Sequence, residues 1–174
     1  MQSKTERIVI IGSGSVATTL GLALYESGHE ILEVYSRQLE HAKVLGEKVH
    51  AKRIISDISK INQYASLYII AVSDDAISEI IEQMPKIDGI VVHTSGTSNS
   101  TLLKSKFKNW GIFYPLQSFT PGRKLDYNKI PILITTESKK ISDFLTEIAS
   151  SIGSLVFHLE DKSRIHIHIS AVII

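Results

Sequence analysis

Arg7-Ile8-Val9-Ile10-Ile11-Gly12-Ser13-Gly14-Ser15-Val16-Ala17-Thr18-Thr19-Leu20-Gly21-Leu22-Ala23-Leu24-Tyr25-Glu26-Ser27-Gly28-His29 is the stretch whose reading decides the fold. Ile8 to Ile11 is an unbroken run of β-branched residues, the mark of a strand buried on both faces. At Gly12 the pattern changes to helical spacing, with Val16, Leu20, Ala23 and Leu24 expected on one face. Gly28 stands where a helix-ending glycine belongs. Between strand and helix lies Gly12-x-Gly14-x-x-Ala17, the dinucleotide-binding fingerprint in its alanine-ending form. Gly12 serves a sharp turn, Gly14 lets a pyrophosphate approach the backbone, and Ala17 lets helix and strand pack closely. The amide groups of Ser13, Ser15 and Val16 then face the phosphates at the positive end of the helix.

The next expected strand, Glu30 to Tyr35, ends in Ser36-Arg37. An NAD-preferring site places a carboxylate here for the ribose 2′-hydroxyl. A hydroxyl and a guanidinium suit a 2′-phosphate instead, which a carboxylate would repel. The expected cofactor is therefore NADP. The competing reading makes Arg37 a solvated charge at the start of a helix.

The 174 residues suffice for one ordinary domain, and 43% apolar content supports a real core. Nineteen basic and eighteen acidic residues are interspersed, which argues against a nucleic-acid surface. The absence of cysteine excludes disulfides, zinc–thiolate sites and cysteine nucleophiles. No stretch has the length of a membrane span, and no signal peptide is recognisable, so a cytoplasmic location is expected.

Further along, Gln38 to Val49 reads as a helix with Leu39, Ala42, Val44, Leu45 and Val49 apolar. Lys52 to Ser56 reads as a strand, and Asp57 as the cap of a helical turn. Leu67 to Val72 is a buried strand leading into Ser73-Asp74-Asp75 and a helix over Ala76 to Met84. Ligands of doubly wound sheets lie beyond the carboxyl ends of the strands. That rule places Val72, Ser73 and Asp74 beside the cofactor, although for at least one of Asp74 and Asp75 helix capping is the preferred reading. Ile90 to Thr94 is a strand ending in His93-Thr94-Ser95-Gly96-Thr97-Ser98, a small polar loop suited to a nicotinamide or a substrate carbonyl. His93 is either a proton donor–acceptor there or a satisfied core histidine.

A short helix over Asn99 to Phe107 and a strand over Gly111 to Tyr114 lead to Pro115-Leu116-Gln117-Ser118. The loop continuing to Asn128 has the length of a functional one. His93, Ser95 and Gln117 are the candidates for substrate polarisation or proton transfer. A strand over Ile130 to Thr135, a helix over Lys139 to Ile152 and a strand over Leu155 to Leu159 complete an α/β pattern. Alternation of this kind implies parallel strands with right-handed crossovers in a doubly wound, mostly parallel sheet.

Ile165-His166-Ile167-His168-Ile169 alternates like a strand, which would put both histidines on one face. No third ligand accompanies them, so no metal site is expected.

Gly12-Ser-Gly-Ser-Val-Ala17, Ser36-Arg37, Ala71-Val-Ser-Asp-Asp-Ala76, His93-Thr-Ser-Gly96 and Phe113-Tyr-Pro-Leu-Gln-Ser-Phe119 occur in this order. In these motifs the chain resembles bacterial Rossmann-like NADP oxidoreductases, some of them deazaflavin-dependent, that carry a helical C-terminal domain of unknown function. More distantly it is similar to pyrroline-5-carboxylate reductase and the 6-phosphogluconate dehydrogenase superfamily. The resemblance implies that His168, followed by small residues, begins a long helix, and so overrides the strand reading of Ile165 to Ile169. It implies an NAD(P)-binding domain over residues 1–159 and the start of a helical domain over 160–174, most of that domain being absent. Hydride transfer between NADP(H) and the C=O or C=N of a small substrate is the implied activity. A binding module without turnover is the alternative. An apolar terminus needs a covering surface, so a homodimer through it is expected.

Overall fold

The computed structural model describes residues 4–118 and 129–172. Strand β1 (Arg7–Ile11) lies between β2 (Glu30–Tyr35) and β4 (Leu67–Ile70), with β3 (Arg53–Ile55) beyond β2. On the other side follow β5 (Ile90–His93), β6 (Trp110–Pro115), β7 (Ile132–Thr135) and β8 (Val156–His158), giving the order β3-β2-β1-β4-β5-β6-β7-β8. The crossover helices are α1 (Ser15–Glu26), α2 (Leu39–Lys48), α3 (Asp74–Gln83), α4 (Thr101–Lys104) and α5 (Lys139–Ser151), and α6 (Asp161–Val172) follows the last strand.

Alternate residues of β1 feed two different cores, which is why its sequence shows no polar alternation. Ile8 and Ile10 pack with Leu20, Leu24, Leu45, Leu145 and Ile148 under α1, α2 and α5. Val9 and Ile11 pack with Tyr68, Ile70, Ile77, Ile80 and Ile81 under α3. The result is a doubly wound Rossmann-type sheet with helices on both faces.

The sheet is mostly parallel, as expected, with one antiparallel joint. β6 and β7 are antiparallel, Phe113 standing opposite Ile134, and β7 then pairs in parallel with β8 around α5. Parallel neighbours need a crossover, usually a helix. The sequence between Tyr114 and Ile130 offers no helical spacing, so a reversal is the cheaper connection. The loop expected there lies outside the described residues from 119 to 128.

In α1, Ala17, Leu20, Gly21 and Leu24 are buried, and Val16 and Ala23 pack partly buried against the same core, as the spacing predicts. A side chain at Gly21 would come 2.7 Å from Ile10 Cδ1, so this glycine sets how closely the helix approaches the strand. In α2, Leu39 and Val44 are exposed, while Ala42, Leu45 and Gly46 form the buried stripe.

The end of α1 follows the expected pattern. Gly28 has φ of 90°, its amide donates to the Tyr25 carbonyl, and the His29 amide donates to Leu24, which is a Schellman closure. Asp57 accepts from the Ser59 amide at the head of a single 3-10 turn, Ile58–Lys60. Residues 165–169 are helical within α6, so His166 and His168 sit about 200° apart around its axis and share no face.

Candidate cofactor cleft and substrate end

The carboxyl ends of β1, β2 and β4 frame a cleft of about 510 Å3. Gly12, Ser13, Gly14, Ser15 and Val16 form its floor, with Ser36 and Arg37 on one side and Val72 and Ser73 on the other. Asp74, the remaining residue expected beside the cofactor, lies outside the lining. Tyr35, Gln38, His41 and Glu79 complete much of the wall.

The backbone explains the fingerprint residue by residue. Gly12 has φ of 127°, and a Cβ there would overlap the Ala71 carbonyl, 2.8 Å from its carbon. Its amide donates to the Tyr35 carbonyl at 2.8 Å, tying the turn to the end of β2. At Gly14 nothing lies within 4 Å of where a Cβ would stand. That glycine opens onto free space, which fits the approach of a ligand rather than of protein. Helix α1 has Gly14 as its N-cap, no side-chain cap and no acidic residue in its first turn. Its positive end is left for an external anion. The residues present therefore fit a dinucleotide pyrophosphate.

At the end of β2, the Ser13 hydroxyl donates to Ser36 Oγ at 2.9 Å, which fixes Ser36 against the turn. Arg37 is exposed beside it, free to move onto a phosphate. Glu79 is the carboxylate in the lining, and it accepts from the Gln83 amide at 3.0 Å. His41 in the first turns of α2 joins this wall, although its sequence context reads as plain surface.

Beyond β4 the structure gathers a second group. Ser73 is the N-cap of α3 without a side-chain cap, and Asp74 and Asp75 lie in the helix's first turn. The expected capping role therefore gives way to a dipole-complementing position. Asp74 instead accepts a short hydrogen bond from the Thr97 hydroxyl. Ser95 Oγ accepts from the amides of Thr97 and Ser98 at 3.1 and 2.9 Å, holding the loop after β5 in its turn.

His93 is fully buried, and its Nδ1 accepts from the Ser95 amide at 3.2 Å. Its Nε2 makes no well-formed hydrogen bond among the described residues, the Asn99 backbone offering only a weak contact. Burial, followed by the charge of Arg164, lowers its pKa to about 4, so it is neutral near pH 7. Gln117 is exposed after β6, and its amide donates to the Pro115 carbonyl. His93 and Ser95 are thus brought into contact, while Gln117 shows no hydrogen bond to either among the described residues.

Sequence reasoning missed the residues that organise this end. Arg164 of α6 is wholly buried. It donates to the Ser95 and Ser98 carbonyls, each at 2.7 Å, and to Asp161 at 2.6 Å. The other Asp161 oxygen accepts from the amide and hydroxyl of Ser100. These bonds hold Asp161 below the ordinary carboxylate range despite its burial. The apolar Ile-His alternation around Arg164 hides it, because a buried arginine has no periodic signature.

Tyr114 Oη and His168 Nδ1 are 2.7 Å apart, with the rings edge to face. A side chain at Gly96 would overlap both rings, 2.6 Å from His168 Cγ and 2.9 Å from Tyr114 Cζ.

A family model described as NADP oxidoreductase, coenzyme F420-dependent, matches residues 7–95. No curated protein matches the chain. Among solved structures, a Bacteroides fragilis protein provisionally assigned as an NADP oxidoreductase is 34% identical, with a TM-score of 0.88. The match covers 97% of this chain and 66% of that one. A pyrroline-5-carboxylate reductase from Coxiella burnetii is 17% identical at a TM-score of 0.72, covering 93% of this chain and 62% of the other. A reductive aminase from Aspergillus terreus, solved with NADPH and ethyl-5-oxohexanoate, is 15% identical at a TM-score of 0.76, covering 97% and 61%. At such identity these last two show the shared fold alone. The chain therefore spans just under two thirds of the length of these relatives. Among the described residues, no helix is long and apolar enough to cross a membrane.

Proposed function

The chain belongs to the NADP oxidoreductase, coenzyme F420-dependent family, and we propose that it binds NADP(H) in the cleft beside Gly12–Val16. There it takes part in hydride transfer to or from a C=O or C=N group of a small substrate. The observation that carries this reading is the uncapped positive end of α1, opening through Gly14 onto free space beside Ser36 and Arg37.

Each group has a role that follows from its position. The first amides of α1 hold the pyrophosphate. Ser36, fixed by Ser13, and Arg37 hold the 2′-phosphate, with His41 on the same wall. Val72 and Ser73 flank the ribose and nicotinamide, and Asp74 anchors the loop after β5 through Thr97. Ser95 and His93 shape that loop from inside the protein. When bound, the reduced cofactor supplies hydride, and the protein orients it and excludes water. Residues 1–159 form the cofactor domain in this reading, and 160–174 begin the helical domain, with a second copy of the chain as the expected partner there.

The test is NADPH oxidation by the purified chain with a panel of small ketones, 2-oxo acids and cyclic imines, followed by loss of nicotinamide absorbance. Substrate-dependent oxidation supports the oxidoreductase. Tight NADPH binding without turnover of any compound assigns the chain to binding alone.

A further inference from the structure

The substrate end holds a polar pair that the cofactor cleft does not use. Tyr114, the last residue but one of β6, is almost fully buried, while His168 on α6 is half-buried. Their hydroxyl and Nδ1 are at hydrogen-bond distance. With the imidazole neutral and its proton on Nε2, the phenol donates to Nδ1; with the ring protonated, Nδ1 donates to the phenol oxygen.

A continuous set of contacts links this pair to the cleft. Val72 and Ser73 line the cleft, and Asp74 follows them. Asp74 is bonded to Thr97, and Gly96, next to Thr97, lies against both rings. The absence of a side chain at Gly96 is what allows Tyr114 and His168 to meet over the loop. β5 and β6 are neighbours, His93 pairing with Ile112, so the pair sits beyond the carboxyl ends where ligands of such sheets bind.

We propose that the Tyr114 hydroxyl, supported by His168, hydrogen-bonds and protonates the C=O oxygen or C=N nitrogen of a small ketone or imine substrate. This rests on the cofactor reading above. As the substrate carbon accepts hydride from reduced nicotinamide, the C=X π pair moves to X, which takes the proton from Tyr114. The imidazolium of His168 returns a proton to the phenolate, and water recharges the half-buried ring. The substrate gains two electrons and two hydrogens, and the nicotinamide is oxidised by the same two electrons. Tyr114 is then the catalytic residue and His168 the positioning and relay residue.

The charged groups around Tyr114 are Arg164 on α6, which lowers its pKa, and Asp74 on α3, which raises it. Burial outweighs both and keeps the phenol protonated above its ordinary range. Asp161 is engaged by Arg164 and Ser100, and His93 is neutral.

The first arm of the test needs no substrate. In a chain saturated with NADP+, the side-chain NMR signals of Tyr114 and His168 shift on cofactor binding, and Tyr114→Phe alters the His168 Nδ1 signal. Bound NADP+ that leaves both rings unchanged overturns the proposal. The second arm uses the compound of the ketone and imine panel that reacts fastest. Tyr114→Phe lowers kcat/KM about 100-fold or more. The Kd for NADPH in that variant stays within about twofold of wild type. His168→Ala lowers kcat by about tenfold or more, and free imidazole added to the buffer restores part of that loss. Unchanged turnover in Tyr114→Phe overturns the proposal, as does NADPH bound to wild type with no panel compound reduced. Wild type that does not bind NADPH overturns the cofactor reading itself, a result distinct from failure of the pair.

Discussion

The carbonyl of Ala71 occupies the space that a side chain on Gly12 would need, and the Gly12 amide at the same time reaches back to Tyr35. The turn out of β1 is thus locked between the ends of β4 and β2. Gly12→Ala combines that overlap with a positive φ and is expected to cost about 3 kcal/mol or more of stability. Gly14 stands in open space at φ of −75°. Gly14→Val should cost only about 1 kcal/mol of stability, the worth of an N-cap residue. Its Kd for NADPH should rise about tenfold or more, a loss of roughly 1.4 kcal/mol. Urea unfolding and cofactor titration of the two variants check the contrast.

In the proposed site, Ser36 and Arg37 are the residues that would distinguish the two nicotinamide dinucleotides, which differ by one phosphate. Arg37→Ala is expected to weaken NADPH binding by about 10- to 100-fold, the worth of a charge-assisted hydrogen bond. NADH binding should change little. Parallel titrations of wild type and variant at one ionic strength measure this, and an unchanged NADPH affinity would remove Arg37 from the phosphate site.

The cleft at the ends of β1 and β2 was legible because its lining is local. Gly12, Gly14, Ser36 and Arg37 lie within a few residues of the strands that carry them, and spacing alone brings them to one edge. The group beyond β5 depends on contacts far apart in sequence. Tyr114 meets His168 across 54 residues, and Arg164 meets Ser95 across 69. Neither pairing leaves a periodic trace. The place of the antiparallel joint between β6 and β7 was hidden for a related reason, since strand direction there depends on the connection rather than on the strand's own residues. His93 illustrates a different limit: its sequence left a core position and a proton-transfer role open, and only the structure shows that it is fully buried.

Arg164 is the largest fully buried side chain, and its bonds join α6 to the loop after β5. Arg164→Met should cost about 3–5 kcal/mol, because it strands the Asp161 carboxylate and two carbonyls. The double variant Arg164→Met, Asp161→Asn should recover part of that loss. Denaturant midpoints for the four chains of this cycle give the coupling directly.

Acid should loosen the fold through its buried histidines. His93 protonates at about 4 in the folded chain against an ordinary 6.5, owing first to burial and then to Arg164. A lowered folded-state pKa means that the unfolded chain binds the proton more readily. The contribution of His93 is therefore complete above pH 6.5 and is lost as the pH falls through about 4, amounting to roughly 3 kcal/mol. His29, also lowered by burial, acts in the same direction. Its Nδ1 accepts from the Glu6 amide and its Nε2 lies 2.8 Å from Ser151 Oγ, an arrangement of the neutral ring. Thermal melts from pH 7 to pH 4 should show a flatter decline in His93→Asn than in wild type.

The most direct test is calorimetric titration of the purified chain with NADPH and with NADH under identical conditions. The arrangement of Gly12, Gly14, Ser36 and Arg37 predicts clear binding of both nucleotides, with NADPH the tighter by about tenfold or more. Binding of neither, or tighter binding of NADH, would contradict it.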